Sequence, residues 1–567
     1  MPRKVPVSAG AERKVKTGRA ARRTSGASHA EAPAVLKPPV LSHRLSAADA
    51  AFIYLERKEI PLHMASVSIF DGPIRFDEFV ASIAAKLHLV PRWRQIVAIP
   101  AYNLGLPTWE DDPHFDIHRH ILKVTLDRPG GQAELEALAG RILSPLMDRG
   151  KPLWDVHVVD GLKDGRGALI WRVHHSLADG VAGAGLVQLM LESTADASRA
   201  AHPPRPAAAR QRPSEHSAGN MISSAVHGTL DSLIVAEKGV MGLAHSLLGD
   251  RLQSGLMGLA GLLPELAKPV ERLPFNKPCS GERTFCWTEF DLGRAQAVRE
   301  AVGGTVNDVI LAVLTRALAK YVRLHGQSVV DRTVRIVCPV SLRNGGHNGE
   351  LGNQISFLPV ALPLDVRSPA RMLREVAART SAMKHTGAAG LLGLAAGLLA
   401  AAPAPLQAAF WWGIPELILP LPLLNLICTN VPGSPDPLYA TGRRMIASYP
   451  QVPTGYDLGV GCAVQSYDGK LCVGLIADAH AAPDASRLRD FLAVSFEELC
   501  RAAGLKPVKA APASSPDTGR GTPAAHRARR RPAKPASPLV AAVPAPAAEP
   551  PAAAAPEQPL MNVKHAA

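Results

Sequence analysis

The sequence predicts an α/β protein built from two layered domains, and three observations support this prediction. The chain has 567 residues, enough for two ordinary domains, and its 47% hydrophobic and 20% charged content is typical of a globular protein. A Pro- and Ala-rich break at residues 199–220 separates two halves. Both halves mix short β-branched runs with helical patterns, which favours layered α/β domains over a single barrel.

The individual elements follow from the spacing of apolar residues. Strands are predicted at residues 168–175, 335–342, 354–362 and 471–478, and helices at Asp179–Thr194 and Val306–Arg323. The predicted organisation is a disordered basic tail (1–40), a first domain (41–198), a Pro-rich linker with amphipathic helices (199–275), a second domain (276–505) and a disordered Ala/Pro-rich basic tail (506–567).

Nearly all of the net charge lies in the two tails. The formal charge is +14, of which residues 1–40 contribute +7 and residues 506–567 contribute +6. The body between them is therefore almost neutral. Cationic tails suit an anionic membrane surface, and we expect any binding of nucleic acid to occur only through them.

Cysteine usage and the first residues bear on the compartment. The seven cysteines form no CxxC pair, and residues 1–40 lack the apolar segment of a secretory signal peptide. Both features favour a reducing cytoplasm, and an Arg- and Ser-bearing organelle transit peptide is the remaining alternative for residues 1–40.

Two apolar stretches leave alternatives open. Residues 221–273 have helical apolar spacing and either pack on the body or form a lid that faces substrate or membrane. Residues 387–415 are uncharged, but Pro403 and Pro405 interrupt them after about sixteen residues, short of the roughly 20 that a bilayer requires. Buried or interfacial helices are therefore favoured over a transmembrane span.

The segment WRVHHSLADG, residues 171–180, holds the residues best suited to chemistry. It places His175 in a turn between a predicted strand and a predicted helix, where a side chain can reach a cleft. A neutral imidazole can take a proton from a hydroxyl and return it to a leaving group near pH 7, which suits acyl transfer. Asp179 either caps the helix or forms an internal ion pair, and Gly180 allows close approach because it lacks a Cβ.

A surface turn and a metal site are the competing interpretations of this segment. Two adjacent histidines, taken alone, more often belong to a structural turn. Metal binding is disfavoured because neighbours on a strand point to opposite faces and no third ligand follows at suitable spacing.

The sequence motif HHxxxDG resembles the signature of the CoA-dependent acyltransferase superfamily. Seven blocks in order resemble its bacterial wax ester synthase/diacylglycerol acyltransferase family: RLSAADAAFIYLE (44–56) with PLHMASVSIFDG (61–72), PRWRQ to HRHI (91–121), GKPLWDVHVVDGL (150–162), GGTVNDVILAVLTRAL (303–318), PVSLRNGGHNGELGNQIS (339–356), TNVPGSPDPLY (429–439) and SYDGKLCVGLIAD (466–478). Ser434 and the Arg443–Arg444 pair depart from the usual family pattern. The resemblance implies two chloramphenicol-acetyltransferase-like layered domains with the active site at their interface.

The resemblance also implies roles for individual residues. His175 is the general base, His174 supports it, and Asp179 and Gly180 shape the loop. Asn307 either stabilises the oxyanion or caps a helix. Pro152, Leu153 and Trp154 carry no acid–base group and are expected to pack beneath the active-site loop.

The implied reaction transfers a long-chain acyl group from acyl-CoA to diacylglycerol, to a long-chain alcohol, or to both. It uses acyl-CoA as a substrate and needs no cofactor and no metal. The expected location is the cytoplasm, in peripheral contact with the inner membrane or lipid inclusions. Two alternatives remain: a condensation-type acyltransferase with a carrier-bound donor, and a non-catalytic protein that binds lipid bodies or polyanions.

Overall fold

The structure is a computed structural model that describes residues 43–196, 270–341, 355–385, 399–418 and 424–507. These residues belong to one compact unit. Both basic tails lie outside the described residues, as does most of the predicted linker with its amphipathic helices.

The first of two six-stranded sheets holds the strand that leads into the HHxxxDG motif. Its strands, in spatial order, are β11 (Tyr439–Ala440), β12 (Arg443–Gln451), β1 (His63–Phe70), β6 (Gly167–His174), β5 (Trp154–Asp160) and β4 (Ile121–Thr125). All neighbours pair antiparallel except β4 and β5. Every residue of β6 is buried, because the strand is central and both of its faces are covered.

The second sheet is built from the second half of the chain. Its order is β7 (Arg283–Asp291), β14 (Lys470–Asp478), β13 (Val460–Tyr467), β10 (Leu426–Val431), β8 (Thr333–Ser341) and β9 (Ile355–Pro363). Strand β10 pairs parallel with both β13 and β8. A separate two-stranded ribbon joins β2 (Gln95–Ala98) to β3 (Thr108–Asp111).

Nine α-helices have described bounds: α1 (Ala47–Leu55), α2 (Phe76–Lys86), α3 (Gln132–Leu143), α4 (Gly180–Met190), α5 (Leu292–Val302), α6 (Val306–Leu324), α7 (Pro369–His385), α8 (Ala404–Ile418) and α9 (Ala485–Ala502). The amphipathic helix α6 packs on α7 and α9, and thirteen of its nineteen residues are buried. Each sheet lies at the centre of a hydrophobic core cluster, and the cluster of the first sheet also includes Phe285, Trp287 and Ile476 of the second. The four predicted strands correspond to β6, β8, β9 and β14, and the two predicted helices to α4 and α6.

The division at residues 199–275 does not separate the two sheets. Strand β12 lies far along the second half, yet it pairs with β1 over its length, and Ser68 Oγ lies 3.2 Å from Ser448 Oγ across this pair. The first sheet is therefore completed by a strand from the second half. Apolar spacing marks a strand but carries no information about a partner hundreds of residues away.

The uncharged stretch at residues 387–415 is described only from residue 399. Helix α8 begins at Ala404, directly after Pro403, and Pro405 lies in its first turn, where a missing N–H is tolerated. Within the described ranges no single helix is long and apolar enough to cross a membrane; one pair, α5 and α6, meets the length and composition criteria only with a 94° bend between its members.

Candidate active site

The HHxxxDG motif forms a tight connection between β6 and α4. His174 is the last residue of β6, and the Leu177 N–H donates to its carbonyl at 2.9 Å. The backbone N–H of His175 donates to the Leu62 carbonyl at 3.0 Å. The predicted position of His175 in a strand-to-helix turn is confirmed, and a hydrogen bond to the neighbouring chain fixes that turn.

The imidazole of His175 lies against an aromatic ring from α1. Its ring centroid is 4.1 Å from that of Phe52, with an angle of 10° between the planes. Only 8% of His175 is exposed. The stack holds one imidazole face in place and shields it from water, which a general base requires if its orientation is to persist between turnovers.

His175 opens onto a cavity of about 110 Å³ between the two sheets. The first sheet contributes β1, β6 and β12, the second contributes β8, β10 and β13, and α4 forms a third side. The lining residues are Met64, Ala65, Ser66, Trp171, Val173, His175, Gly180, Gly183, Ala184, Val187, Pro339, Thr429, Val431, Ser448, Pro450, Gln451, Val452, Ala463 and Gln465. A single histidine in a largely apolar cleft suits a reaction on an apolar substrate.

His174 has a structural environment on the other side of the strand, as the alternation of side chains predicts. Its Nδ1 accepts the backbone N–H of Ser176 at 3.1 Å and lies 2.8 Å from Ser176 Oγ. The Nε2 atom therefore carries the proton, and it lies 3.2 Å from Glu56 Oε1. His63, directly opposite on β1, is fully buried, and burial together with the charge of Arg172 lowers its pKa to about 3.

Glu56 is the centre of a buried network beneath the motif. Its Oε1 accepts the Leu62 N–H at 3.1 Å, and its Oε2 accepts Arg149 Nη2 at 3.1 Å. Burial raises the pKa of the Glu56 carboxyl, but the contacts with His174, the Leu62 N–H and Arg149 outweigh burial, and the pKa falls to about 2. Glu56 is therefore ionised near neutral pH and links α1 to the motif through both His174 and Leu62.

Asp179 and Gly180 occupy the start of α4. Asp179 Oδ1 accepts the Ala182 N–H at 2.8 Å, so the predicted helix cap is present. A Cβ on Gly180 would lie 3.3 Å from Val431 Cγ2 of the second sheet. The glycine thus permits a close approach between α4 and β10.

Asn307 and Asp308 lie in the first turn of α6, where a capping box forms. Thr305 Oγ1 accepts the Asp308 N–H at 3.2 Å, and Asp308 Oδ2 accepts the Thr305 N–H at 2.8 Å. Asp308 Oδ1 accepts the Thr380 hydroxyl at 2.6 Å. Asn307 is partly exposed and is not among the described residues that line the cavity. The structure assigns Asp308 to bracing, and the oxyanion role of Asn307 stays a prediction.

The Pro-Leu-Trp segment packs under the end of β6, which leads into the HHxxxDG motif, as expected. The Leu153 carbonyl accepts the His174 N–H at 3.0 Å. Trp154 stacks on Trp93 with centroids 4.3 Å apart and donates its Nε1–H to the Trp93 carbonyl at 2.8 Å. These contacts hold the end of β6 from below.

Comparison with protein families identifies this arrangement. The catalytic-domain model of wax ester synthase/diacylglycerol acyltransferase matches residues 45–310, which include the HHxxxDG motif, and the C-terminal domain model of the same family matches residues 351–500. The chain belongs to the wax ester synthase/diacylglycerol acyltransferase family. It is therefore an acyltransferase, and the sequence resemblance is confirmed.

Relatives of this acyltransferase support the assignment along most of the chain. A protein of Mycobacterium tuberculosis named as a diacylglycerol O-acyltransferase is 31% identical over 471 residues, covering 81% of this chain and 98% of the relative. A second from the same organism, also so named, is 28% identical over 458 residues, covering 79% of this chain and 93% of the relative.

Solved structures share the fold. The wax ester synthase/diacylglycerol acyltransferase from Marinobacter aquaeolei VT8 has a TM-score of 0.56 and 26% identity, with 82% of this chain and all of that chain covered. The first condensation domain of the calcium-dependent antibiotic synthetase, in complex with a substrate analogue, has a TM-score of 0.53 at 15% identity, covering 82% of this chain and 96% of that one. The expected two-domain acyltransferase fold is confirmed.

The departures of this acyltransferase from its family pattern lie in surface contacts. Ser434 Oγ donates to the Asp436 carbonyl at 2.8 Å within a turn. Arg444 pairs with Asp468 at 2.7 Å, and a Cβ on Gly72 would lie 2.8 Å from Arg443 Cδ. These residues brace the turns around β12, and none of them is among the described residues that line the cavity.

Sequence reasoning missed the supporting residues Phe52, Glu56 and Arg149. Phe52 and Glu56 are four residues apart in the first family block, a spacing that brings side chains together at a helix end. That spacing was the available signal. Nothing in the local sequence connects either residue to His175 or to Arg149.

Proposed function

We propose that the protein transfers a long-chain acyl group from acyl-CoA to the hydroxyl of diacylglycerol or of a long-chain alcohol, with His175 as the general base. The observation that carries this proposal is the position of His175 at an apolar cavity between the two sheets. An apolar cleft accepts the hydrocarbon parts of both substrates, and one histidine can serve both proton transfers.

The proton cycle closes on His175 alone. The neutral imidazole accepts the proton of the alcohol as its oxygen attacks the thioester carbonyl. When the tetrahedral intermediate collapses, the C–S bond breaks and the imidazolium protonates the leaving thiolate of CoA. Because His175 returns to its neutral form, the reaction requires neither a cofactor nor a metal, and dialysis against a chelator is expected to leave the rate unchanged.

The supporting residues fix the geometry of this step. Phe52 holds the ring plane of His175, the Leu62 carbonyl accepts the His175 N–H, and the ionised Glu56 accepts the Leu62 N–H. Asp179 anchors the following helix. Such pre-organisation is a large part of the advantage of a bound reaction over one in solution.

An acceptor screen tests the function. Purified wild type and His175→Ala are supplied with labelled palmitoyl-CoA and either hexadecanol or a diacylglycerol, and labelled wax ester and triacylglycerol are counted. Loss of the base is expected to lower kcat by about 10²–10⁴. His118→Ala, which changes an exposed histidine, is the matched control. Full activity of His175→Ala, or no neutral-lipid product from wild type, contradicts the proposal.

We further propose that the enzyme works in the cytoplasm, in peripheral contact with a membrane or lipid inclusion. Helix α8 presents Trp412 (62% exposed), Phe410 and Leu406 to solvent, and it contacts the segment Ala101–Asn103, in which Tyr102 is 91% exposed. Aromatic side chains are favoured at the boundary between lipid and water. The opposite side of α8 packs on α1, which carries Phe52, so this surface adjoins the active site.

Sedimentation with phospholipid vesicles tests the location. Trp412→Ser is expected to weaken vesicle binding about 10- to 150-fold, because burial of one large apolar side chain contributes about 1.5–3 kcal/mol. Val330→Ser removes an exposed apolar side chain outside this surface and serves as the control. Equal binding by all three proteins contradicts this part of the proposal.

A further inference from the structure

Helix α4 presents a face of small residues to the cavity. Gly180, Gly183, Ala184 and Val187 all line it, at the spacing that places residues on one side of a helix. The helix begins directly after the HHxxxDG turn, and from Gly180 to Val187 it extends about 10 Å along the cavity. The path beside α4 therefore starts at the catalytic base and leads away from it.

Met64 of β1 packs directly against Gly183 at the edge of the cavity. A Cβ at this position would lie 3.1 Å from Met64 Cε and 3.8 Å from Met64 Sδ, so there is no room for a side chain at position 183 unless Met64 moves. Gly183 does not have the positive φ that would demand glycine, and a glycine inside a helix costs about 1 kcal/mol relative to alanine. The helical conformation does not require a glycine here, whereas the close contact with Met64 favours one.

The character of the facing residues indicates what occupies this space. Met64 is an unbranched, adaptable side chain on β1, and Ala463 and Val431 line the cavity from the second sheet. The walls around Gly183 thus offer apolar contacts to a ligand. An unbranched hydrocarbon chain fits a passage of this kind.

We infer that Gly183 and Met64 form a chain-binding subsite and that Gly183 determines which chain lengths the enzyme accepts. This inference rests on the proposed function, since the chain is that of the acyl donor or of the acceptor alcohol. A larger side chain at position 183 displaces Met64 into the cavity and so narrows the passage a few ångströms beyond the turn that carries His175. Long hydrocarbon chains then no longer fit into the cavity, while short chains still bind with their reacting group at His175.

Two variants of one helix test the inference. Gly183→Val adds bulk to the cavity, whereas Gly185→Val makes the same change at an exposed position where a Cβ would meet nothing within 4 Å. In one arm kcat/KM is measured for palmitoyl-CoA and octanoyl-CoA with a fixed alcohol. In the other arm hexadecanol and octanol are compared with a fixed acyl-CoA. The arm that responds identifies the chain in the subsite.

In one arm, Gly183→Val is expected to lower kcat/KM for the long chain relative to the short one by about 10- to 200-fold, the range for one misfitting carbon in an apolar pocket. Gly185→Val is expected to retain the wild-type ratio. Met64→Ala, added to Gly183→Val, is expected to recover part of the long-chain activity. This recovery distinguishes lost space from a damaged fold.

The inference is overturned if Gly183→Val keeps the wild-type ratio in both arms, if it lowers long- and short-chain activity equally with no recovery in the double variant, or if Gly185→Val shifts the ratio as much. A wild-type protein that transfers no acyl chain of either length instead contradicts the proposed function. The two failures are therefore distinguishable.

Discussion

The Glu56 carboxylate shows how one buried charge supports the proposed catalytic residue, His175, without touching it. It contacts His174, the neighbour of the proposed base, and it accepts the N–H of Leu62, whose carbonyl in turn accepts the His175 N–H. Arg149 balances the charge and also donates to the Ile53 carbonyl of α1 at 2.8 Å. The position of His175 thus depends on the charge of Glu56, which acts through the residues next to His175 and not by direct contact.

The lowered pKa of Glu56 defines the pH range over which the Glu56 carboxylate stabilises the folded protein. The folded pKa of about 2 lies below the ordinary value of 4.5, so the stabilisation is complete above about pH 4.5 and disappears as the pH falls towards 2. Glu56→Gln is therefore expected to lower the free energy of unfolding at pH 7 by about 1.5–3 kcal/mol, as for a lost hydrogen bond to a charged group.

Urea unfolding of wild type and Glu56→Gln at pH 7 and pH 3 measures this effect. The difference between the two proteins is expected to narrow at pH 3. The exposed Glu59→Gln, three residues away, should show little difference at either pH. A gap that stays constant or widens at low pH would argue against an ionised Glu56.

At the residue scale, the sequence could predict what short-range chemistry defines. His175 in its turn and Asp179 as a helix cap both follow from residues within a few positions of one another. Arg149 is 93 residues from Glu56, and no local pattern joins them. Contacts of this kind depend on the tertiary fold, which single-sequence patterns do not encode.

At the element scale, the start of α6 combines two adjacent residues with different environments. Asp308 accepts hydrogen bonds from Thr305 and from Thr380 of α7, and only 3% of it is exposed. Asn307 is half-buried beside it. Within this family block, Asp308 therefore connects two helices through hydrogen bonds. The described hydrogen bonds include none from the neighbouring Asn307 side chain.

Alanine substitutions separate the two residues. Asp308→Ala is expected to lower the free energy of unfolding by about 1.5–3 kcal/mol, because the Thr305 and Thr380 donors lose a charged acceptor. Asn307→Ala is expected to change it by no more than about 0.5 kcal/mol. Chemical denaturation measures both, and equal losses would show that the block acts as one structural unit.

Kinetics of Asn307→Ala then test its predicted role in catalysis. Removing one oxyanion donor lowers kcat by about 10²–10³. A fall of that size in a protein of unchanged stability would support direct participation of Asn307. A change of less than about tenfold would instead limit it to the helix start.

The positions of helices and strands were predicted better than the contacts that those elements make. Strands β6, β8, β9 and β14 and helices α4 and α6 agree with the apolar spacing to within a few residues. The apolar stretch at 387–415 could be predicted to be helical, but the sequence did not show whether its apolar face is buried or exposed. Spacing identifies an apolar face, and only the neighbouring elements decide whether that face is covered.

At the scale of the whole molecule, the two halves share a sheet. Strand β12 pairs with β1 and carries β11 on its other edge, so the first sheet has two strands that come from beyond residue 424. The Pro-rich break at 199–220 indicates where the chain changes composition. The break could not reveal that a strand of the second half completes the first sheet, since strand pairing is set by the packing of both halves together.

A chain divided between residues 196 and 197, just before this break, tests the dependence directly. Residues 1–196 expressed alone would leave the full edge of β1 unpaired, and unpaired edges promote aggregation. We expect this fragment to aggregate or to unfold without cooperativity, and co-expression with residues 197–567 to recover a soluble complex. Circular dichroism and size-exclusion chromatography distinguish these outcomes. A monomeric first fragment with a cooperative transition would contradict the expectation.

The pairing of β1 with β12 also has a consequence for synthesis on the ribosome. Strand β1 emerges early, but the nascent chain cannot complete its first sheet until Gln451 has left the exit tunnel. During that interval the edge of β1 is open to other chains. Cells that produce this enzyme must therefore protect a half-finished sheet, and expression at low temperature or with added chaperones is expected to raise the soluble yield.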